Sequence, residues 1–343
     1  MKTAVTFGLN IGLVYDLRDD YLAEGCTEEQ AAEFDTEVTI EELDRALRAS
    51  GHNPDRIGHG RALCRRLVAG DRWDLVFTIA EGVSGRSREA QVPAVLEMFG
   101  QPYTFSDPLV CAVTLDKAVA KRLVQAAGLR TPAFCVVDDE RDAARVDLGF
   151  PLFAKPIAEG TGKGVDHRSK IRTPEELDEV CRLLRARFAQ PVLVEEYLPG
   201  REFTTAVLGT GRRARVLGTM EVRIKPGAPA ADYSFEVKER CEEFVDYGPM
   251  EGGALRDEVE ALALAAYRAL ECRDAGRVDI RLDRSDCPAF IEVNPLPGLH
   301  PTHSDLPMIA TQAGMSYDEL IAAIVESAGA RYGLQTVCRG RQA

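Results

Sequence analysis

The sequence predicts an α/β fold in three parts, beginning with an open parallel, Rossmann-like sheet. Three observations carry this. The chain has 343 residues, too many for one small core. Strand and helix patterns alternate through its first third, as they do in open parallel sheets. Near its end, two runs of alternating apolar and polar residues face each other across a turn signal. The parts expected are 1–112, 113–198 and 199–334, with a tail at 335–343.

Taken in order, residues 2–7 read as a strand. The stretch 8–34 follows as an insertion, long for a loop in a compact fold and so either functional or partly helical. Ile40, Leu43 and Leu47 at helical spacing predict a helix over 37–50, closed by Gly51. A helix at 59–69, a buried strand at 75–79 and a helix at 93–99 complete the first part. The polar run 81–88 lies at the carboxyl end of a strand, where such sheets bind ligands. In the second part, Thr114 or Asp116 caps a helix that bears Lys117 and Lys121. Strands are expected at 133–137, 151–155 and 191–198, with a helix at 174–188. The third part holds strands at 202–209 and 214–224, a loop-like segment at 225–250, a helix at 254–271, the hairpin, and two closing helices.

Composition narrows the function classes. No apolar run approaches the ~18 residues of a membrane span. The start of the chain is too short in apolar residues for a signal peptide, so a cytoplasmic place and no membrane partner are expected. A formal net charge of −13 without any basic run argues against nucleic acid as a partner. It leaves room for a nucleotide site, which needs only a few placed lysines. The nine cysteines are odd in number and form no Cys-x-x-Cys, so free thiols are expected and no disulfide framework.

The hairpin carries the densest chemistry. Alternation puts Arg277, Asp279 and Arg281 on one face and Val278, Ile280 and Leu282 on the other. On the second run Glu292 and Asn294 share a face, opposed by Ile291 and Val293. Two carboxylates and an amide would converge beside a guanidinium, and such hard oxygen ligands suit Mg²⁺ with substrate phosphates. The same pattern also fits an ordinary hairpin with a solvated face. Lys155 ends a strand before a loop with glycines at 160, 162 and 164, which lets backbone N–H groups approach phosphate oxygens. A plain glycine hairpin fits this stretch equally well.

The run Glu292-Val-Asn294-Pro-Leu-Pro297-Gly298, with Leu115-Asp-Lys117, Phe153-Ala-Lys-Pro156, Glu202-Phe-Thr204, Gly276-Arg-Val-Asp279 and Ala313-Gly-Met-Ser316, resembles the ATP-grasp ligases. Among these it is most similar to the D-alanine–D-alanine ligase family, over residues 75 to about 328. The resemblance implies a three-domain ATP-grasp fold, with the second and third parts as its central and C-terminal ATP-binding halves. It implies ATP and Mg²⁺, one ion or two, with Mn²⁺ as a substitute. Lys117 and Lys155 would bind the ATP phosphates, and Gly160, Thr161, Gly162 and Gly164 would form the lid. Glu195, Glu196, Tyr197 and Leu198 would line the adenine pocket, and Glu202 would hold the ribose. Lys238 would sit on a second lid. Asp279, Glu292 and Asn294 would hold the metal. Arg277 would stabilise negative charge in the transition state, with Lys155 assisting. The activity implied is amide formation from a carboxylate and an amine through an acyl phosphate. Its partners are amino-acid or small-peptide substrates, and the family suggests a homodimer.

The departures fall on the amino-acid side. The family's Gly-Gly-x-Ser-x-Glu-x-x-Val-Ser segment is replaced by the 8–34 stretch and Asp35-Thr-Glu-Val-Thr39. Asp35 either stands in for the ammonium-anchoring glutamate or caps the following helix. The family's His-Gly-x-x-Gly-Glu-Asp-Gly becomes Glu81-Gly-Val-Ser-Gly-Arg-Ser-Arg88, and its lid serine and tyrosine fall on Thr161 and Glu239. Arg86 and Arg88 would suit a second substrate carboxylate, or else start a helix in solvent. With Asp35, Glu81, Arg277, Gly298 and Ser304 they make up the expected substrate set. A substrate pair other than two D-alanines follows. A true D-alanine–D-alanine ligase and a non-catalytic ATP-binding relative are the alternatives.

Overall fold

The computed structural model describes residues 8–225 and 241–334. The strand expected at 2–7, Lys238, Glu239 and the tail lie outside the described residues. Three sheets follow one another along the chain. The first contains β1 (Asn10–Val14), β2 (Asn53–Gly58) and β3 (Leu75–Thr78), all parallel, in the order β2-β1-β3. The second is antiparallel and contains β4 (Phe134–Val137), β5 (Leu152–Pro156), β6 (Lys170–Ile171) and β7 (Val192–Glu196), in the order β4-β7-β5-β6. The third, also antiparallel, contains β8 (Glu202–Leu208), β9 (Arg215–Ile224), β10 (Val245–Pro249), β11 (Ala275–Leu282) and β12 (Pro288–Asn294). Its order is β10-β9-β8-β11-β12.

The first sheet corrects two expectations. The 8–34 stretch is not wholly an insertion: it begins with the central strand β1 and continues in the helix Arg18–Ala23. A strand covered on both faces shows no alternation, and Asn-Ile-Gly-Leu-Val is short and broken by glycine. β2 went unanticipated because Asn-Pro-Asp-Arg-Ile-Gly is polar and carries Pro54. Its place at the sheet edge tolerates both features. The expected helices occur at Glu37–Ala49, Gly60–Ala69, Gln91–Met98, Lys117–Ala126, Pro174–Phe188, Ala254–Ala269, Asp305–Gln312 and Tyr317–Tyr332. Asp116 is the cap of the fourth, its carboxylate accepting from Val119 N at 3.0 Å. The helix Pro108–Leu115 just before it was hidden by a sequence apolar on all sides.

Helix Tyr317–Tyr332 joins the first sheet to the third. Its Ile321 and Ile324 share one core with Ile11, Leu13 and Phe77 and with Ala206, Leu208 and Met220. An ion pair seals the joint. Arg331 Nη2 lies 2.6 Å from Asp274 Oδ2 and also donates to the carbonyls of Tyr103 and Phe105. Asp274, with 0% exposure, further accepts from Phe105 N and from the Ser327 hydroxyl. Removing one member of a buried pair costs about 3–5 kcal/mol. Asp274→Asn should therefore lower the denaturant midpoint substantially, and an unchanged midpoint would contradict this role.

Candidate active site

The second and third sheets face each other across a cleft. On its floor, Glu195 of β7 holds two lysines. Lys155 Nζ of β5 lies 3.0 Å from Glu195 Oε1, and Lys121 Nζ lies 2.8 Å from Glu195 Oε2. All three are buried. Burial raises the Glu195 carboxyl, but the two ammonium groups more than offset this and hold it below its usual range. Burial pushes Lys121 down to about 8. Lys155 goes the other way, because Glu195 and Glu292 outweigh its burial. Glu195 therefore borders the cleft, but its carboxylate is engaged with lysines and not turned to a base. Lys121 was missed as a site residue, since on the helical pattern alone it is one more charge.

The hairpin supplies the opposite wall. β11 and β12 pair Asp279 with Glu292 and Arg277 with Asn294. Asp279 accepts from the Thr204 hydroxyl at 3.0 Å, from Arg277 Nη1 at 2.6 Å and from Asn294 Nδ2 at 3.4 Å. Glu292 Oε2 stands 3.4 Å from Lys117 Nζ and 4.0 Å from Lys155 Nζ. Val278, Ile280 and Leu282 are buried on the far face, as alternation requires. The pairing slips after Asp279, so that Ile280 faces Phe290. This bulge turns Ile291 toward the cleft beside Glu292, where strict alternation had it on the opposite face. Among the described residues no three His, Cys, Asp or Glu side chains gather as a metal cluster. Two carboxylates and an amide fit Mg²⁺ only when phosphate oxygens complete the shell, which is how Mg²⁺ is usually held.

Between the sheets lies a cavity of about 100 Å³. Lys117, Lys155, Gly162, Glu195, Glu196, Tyr197, Leu198, Glu202, Asp279 and Glu292 border it, together with the unanticipated Phe153, Lys163, Arg281 and Ile291. Gly160, Thr161, Gly164, Arg277 and Asn294 lie outside its lining. The glycine loop reaches the other way, to the first part of the chain. Gly160 N donates to Glu33 Oε1 at 2.7 Å, and Lys163 Nζ lies 2.9 Å from Glu33 Oε2 and 2.6 Å from Glu159 Oε2.

The amino-acid side differs from expectation. Arg88 is buried and donates to Ala158 O at 2.8 Å and to both oxygens of Glu33 at 3.0 Å. Arg86 lies 2.6 Å from the capping carboxylate Asp116. Both guanidiniums face protein carboxylates, in a second cavity of about 790 Å³ behind the glycine loop. They do not line the cleft with Lys155. Arg277 instead reaches Asp305, at 3.2 Å, on the helix that Ser304 begins. A Cβ on Gly298 would meet Ser304 Oγ at 2.7 Å, so these two pack directly together. Asp35 precedes the helix cap Thr36, and burial and the neighbouring Asp16 push its carboxyl up to about 7. Glu81 is held well above the usual carboxylate range, by burial and then by Glu89 and Glu33.

A family model described as the D-ala D-ala ligase C-terminus matches residues 123–326. The chain belongs to the D-alanine–D-alanine ligase family. It is 36% identical over 290 residues to a D-alanine–D-alanine ligase of Bordetella petrii, covering 84% of this chain and 85% of that one. It is also 36% identical to the uncharacterized protein y4sG of Sinorhizobium fredii, over 75% of each chain. Among solved structures, the D-alanine–D-alanine ligase of Bacillus anthracis complexed with ATP superposes with a TM-score of 0.72 at 22% identity, covering 95% of this chain and 99% of that one. The VanG D-Ala:D-Ser ligase of Enterococcus faecalis gives 0.71 at 20%, covering 94% and 99%. The fold is ATP-grasp, and the chain is an ATP-dependent C–N ligase of the D-alanine–D-alanine ligase family. No helix among the described residues is long and apolar enough to cross a membrane.

Two outcomes follow. Losing a charged partner of a phosphate typically costs about 1.5–3 kcal/mol, so Lys155→Ala should weaken ATP binding about ten- to a hundredfold. Calorimetry giving wild-type affinity would remove Lys155 from the site. Asp35, raised from 3.8 to about 7, binds more protons folded than unfolded across that window, so its contribution to stability falls as pH rises from 4 to 7. Asp35→Asn should gain stability relative to wild type over that range and level off above it. A difference independent of pH, measured by denaturant midpoints, would contradict the assignment.

Proposed function

We propose that the chain activates a substrate carboxylate as an acyl phosphate at the expense of ATP and then joins it to an amine, with a substrate pair other than two D-alanines. The observation that carries this is the convergence of Lys117, Lys155, Asp279 and Glu292 on one cleft between two antiparallel sheets. The lysines would bind phosphate oxygens. Asp279, Glu292 and the Asn294 amide would hold Mg²⁺, which supplies charge stabilisation on the transferring phosphoryl group. Arg277 would meet the negative charge that builds on oxygen during transfer. Leu198 and Tyr197 would face the base and Glu202 the ribose. Lys170 Nζ, 3.7 Å from the Tyr197 ring centroid, steadies that wall.

The substrate difference rests on the 81–88 run and Asp35, which depart in charge and length from the pattern of the family they resemble. The second reading, a D-alanine–D-alanine ligase with a rebuilt first-substrate site, is favoured by the 36% identity to enzymes of that name. A screen of amino acids and dipeptides for ATP-dependent phosphate release separates the two. Release that needs a carboxylate and an amine, with D-alanine alone turning over poorly, supports the proposal. Efficient formation of D-alanyl-D-alanine sinks the substrate difference. In the same assay Glu292→Gln should lower turnover by about 10²-fold or more. A folded variant working at the wild-type rate would remove Glu292 from the metal set.

A further inference from the structure

Arg277 sits between two carboxylates. It lies on β11, an inner strand, with Ala206 of β8 on one side and Asn294 of β12 on the other. Its backbone is thereby fixed, and only the side chain can swing. Nη1 donates to both oxygens of Asp279, at 2.8 and 2.6 Å, and lies 3.2 Å from Asp305 Oδ2. A terminal guanidinium nitrogen carries two hydrogens, enough to direct one toward each acid. None of the three side chains is more than 16% exposed, so salt and solvent screen the group weakly.

The two acids are held by different parts of the fold. Asp279 is on β11 itself and is braced by the Thr204 hydroxyl. Asp305 begins the helix Asp305–Gln312, whose Leu306, Ile309 and Ala310 are buried in one core with Ala206, Leu208 and Met220 of the third sheet. The loop before that helix is closed by two bonds, His300 N to Ser304 Oγ at 3.0 Å and Ser304 N to His300 O at 3.1 Å. The Tyr317 hydroxyl donates to Leu299 O at 3.0 Å and fixes the loop from behind. Asp305 is therefore presented to Arg277 by a frame that does not depend on Asp279. Asp279 has two claims on it. Oxygens given to Mg²⁺ are less open to a guanidinium, and two cations on one carboxylate repel each other. Arg277 competes with the metal for Asp279 unless a second anion shares the guanidinium, and Asp305 is such an anion.

We propose that Asp305 is a positioning residue: it holds the Arg277 guanidinium beside the cleft while Asp279 gives its oxygens to the metal. This rests on the reading above, in which Asp279 belongs to the metal set and Arg277 meets the charge of phosphoryl transfer. Without the charge on Asp305, Arg277 leans more heavily on Asp279, and Mg²⁺ has to displace it. The plainer role of Asp305, an acid in the first turn of a helix that favours the helix dipole, bears on stability and leaves the metal requirement alone.

The test reads the Mg²⁺ requirement of nucleotide binding. Affinity of the full chain for a non-hydrolysable ATP analogue is measured by calorimetry over a series of free Mg²⁺ concentrations. Asp305→Asn and Asp305→Ser both put neutral residues suited to a helix start in that place, and each is checked for an intact melting transition. In either, the Mg²⁺ needed for half-maximal binding should rise about threefold or more, as coupling between contacting residues allows. Combined with Arg277→Gln, the same substitution should add nothing, because the competing cation is gone. Asp305→Glu keeps the charge and should stay near the wild-type requirement. An unchanged requirement in the folded neutral variants, or an equal rise on the Arg277→Gln background, overturns the inference. So does a rise in Asp305→Glu as large as in Asp305→Asn, which traces the effect to packing. Phosphate release with amino acids and dipeptides reports separately on the ligase reading. The Mg²⁺ shift without release from any pair keeps the role of Asp305 and sinks the ligase reading. Release by the wild type with no Mg²⁺ shift in the variants does the reverse.

Discussion

One buried carboxylate, Glu195, sets the position of the phosphate-facing half of the site. It draws Lys155 from its own sheet and Lys121 from helix Lys117–Ala126 onto a single group. Removing one partner would leave an unpaired buried charge, so the three cannot move independently. Lys121 Nζ also reaches the Thr131 hydroxyl, and that hydroxyl donates to the Phe290 carbonyl at 2.7 Å on β12. The middle sheet, the helix and the C-terminal hairpin are thereby tied through one short chain of polar contacts. Glu292 lies two residues along β12 from Phe290, and Lys117 one turn along the helix from Lys121. Their approach to 3.4 Å follows from that fixed geometry.

The two halves of the cleft handle charge differently. On the nucleotide side Lys121, Lys155 and Lys117 each face a carboxylate of the protein, and the Glu195 carboxyl is held down. Near the end of the first sheet Asp35, Glu81 and Glu89 are pushed up instead, Glu89 to about 7 by burial that Arg88 and Lys117 only partly offset. A site whose groups are already paired is preorganised for a ligand that exchanges with those partners, such as phosphate and metal. Glu33 stands between the two, linking the glycine loop to Arg88, and the ammonium and guanidinium around it outweigh its burial to hold its own carboxyl low.

What could be read from the sequence follows from which signals are local. Alternation in 277–282 and the turn at 284–288 were enough to bring Asp279 and Glu292 to one surface of a hairpin, because strand period and hairpin closure are short-range properties; their direct pairing came from the fold. The bulge that turns Ile291 inward left no such mark. β1 and β2 were missed for opposite reasons, one being covered on both faces and the other a polar edge. Lys163 stands within the glycine loop that was singled out, and a count of charges in that loop would have found it. Glu33 and Arg88 lie 55 residues apart, and Glu33 sits in a run rich in acids. Nothing local distinguishes it from its neighbours, so only the fold reveals that Arg86 and Arg88 are already neutralised.

The central claim is that the carboxylate substrate is phosphorylated in this cleft before the amine attacks. Isotope transfer tests it most directly. A turned-over substrate is labelled with ¹⁸O in its carboxylate, and the phosphate released is analysed by mass spectrometry. Attack of a carboxylate oxygen on the γ-phosphorus makes that oxygen the bridge to phosphorus, and when the amine displaces phosphate the bridging oxygen leaves with it. The account predicts one ¹⁸O in the phosphate for each amide formed from fully labelled substrate. Phosphate free of label, with amide formed at the normal rate, would contradict it.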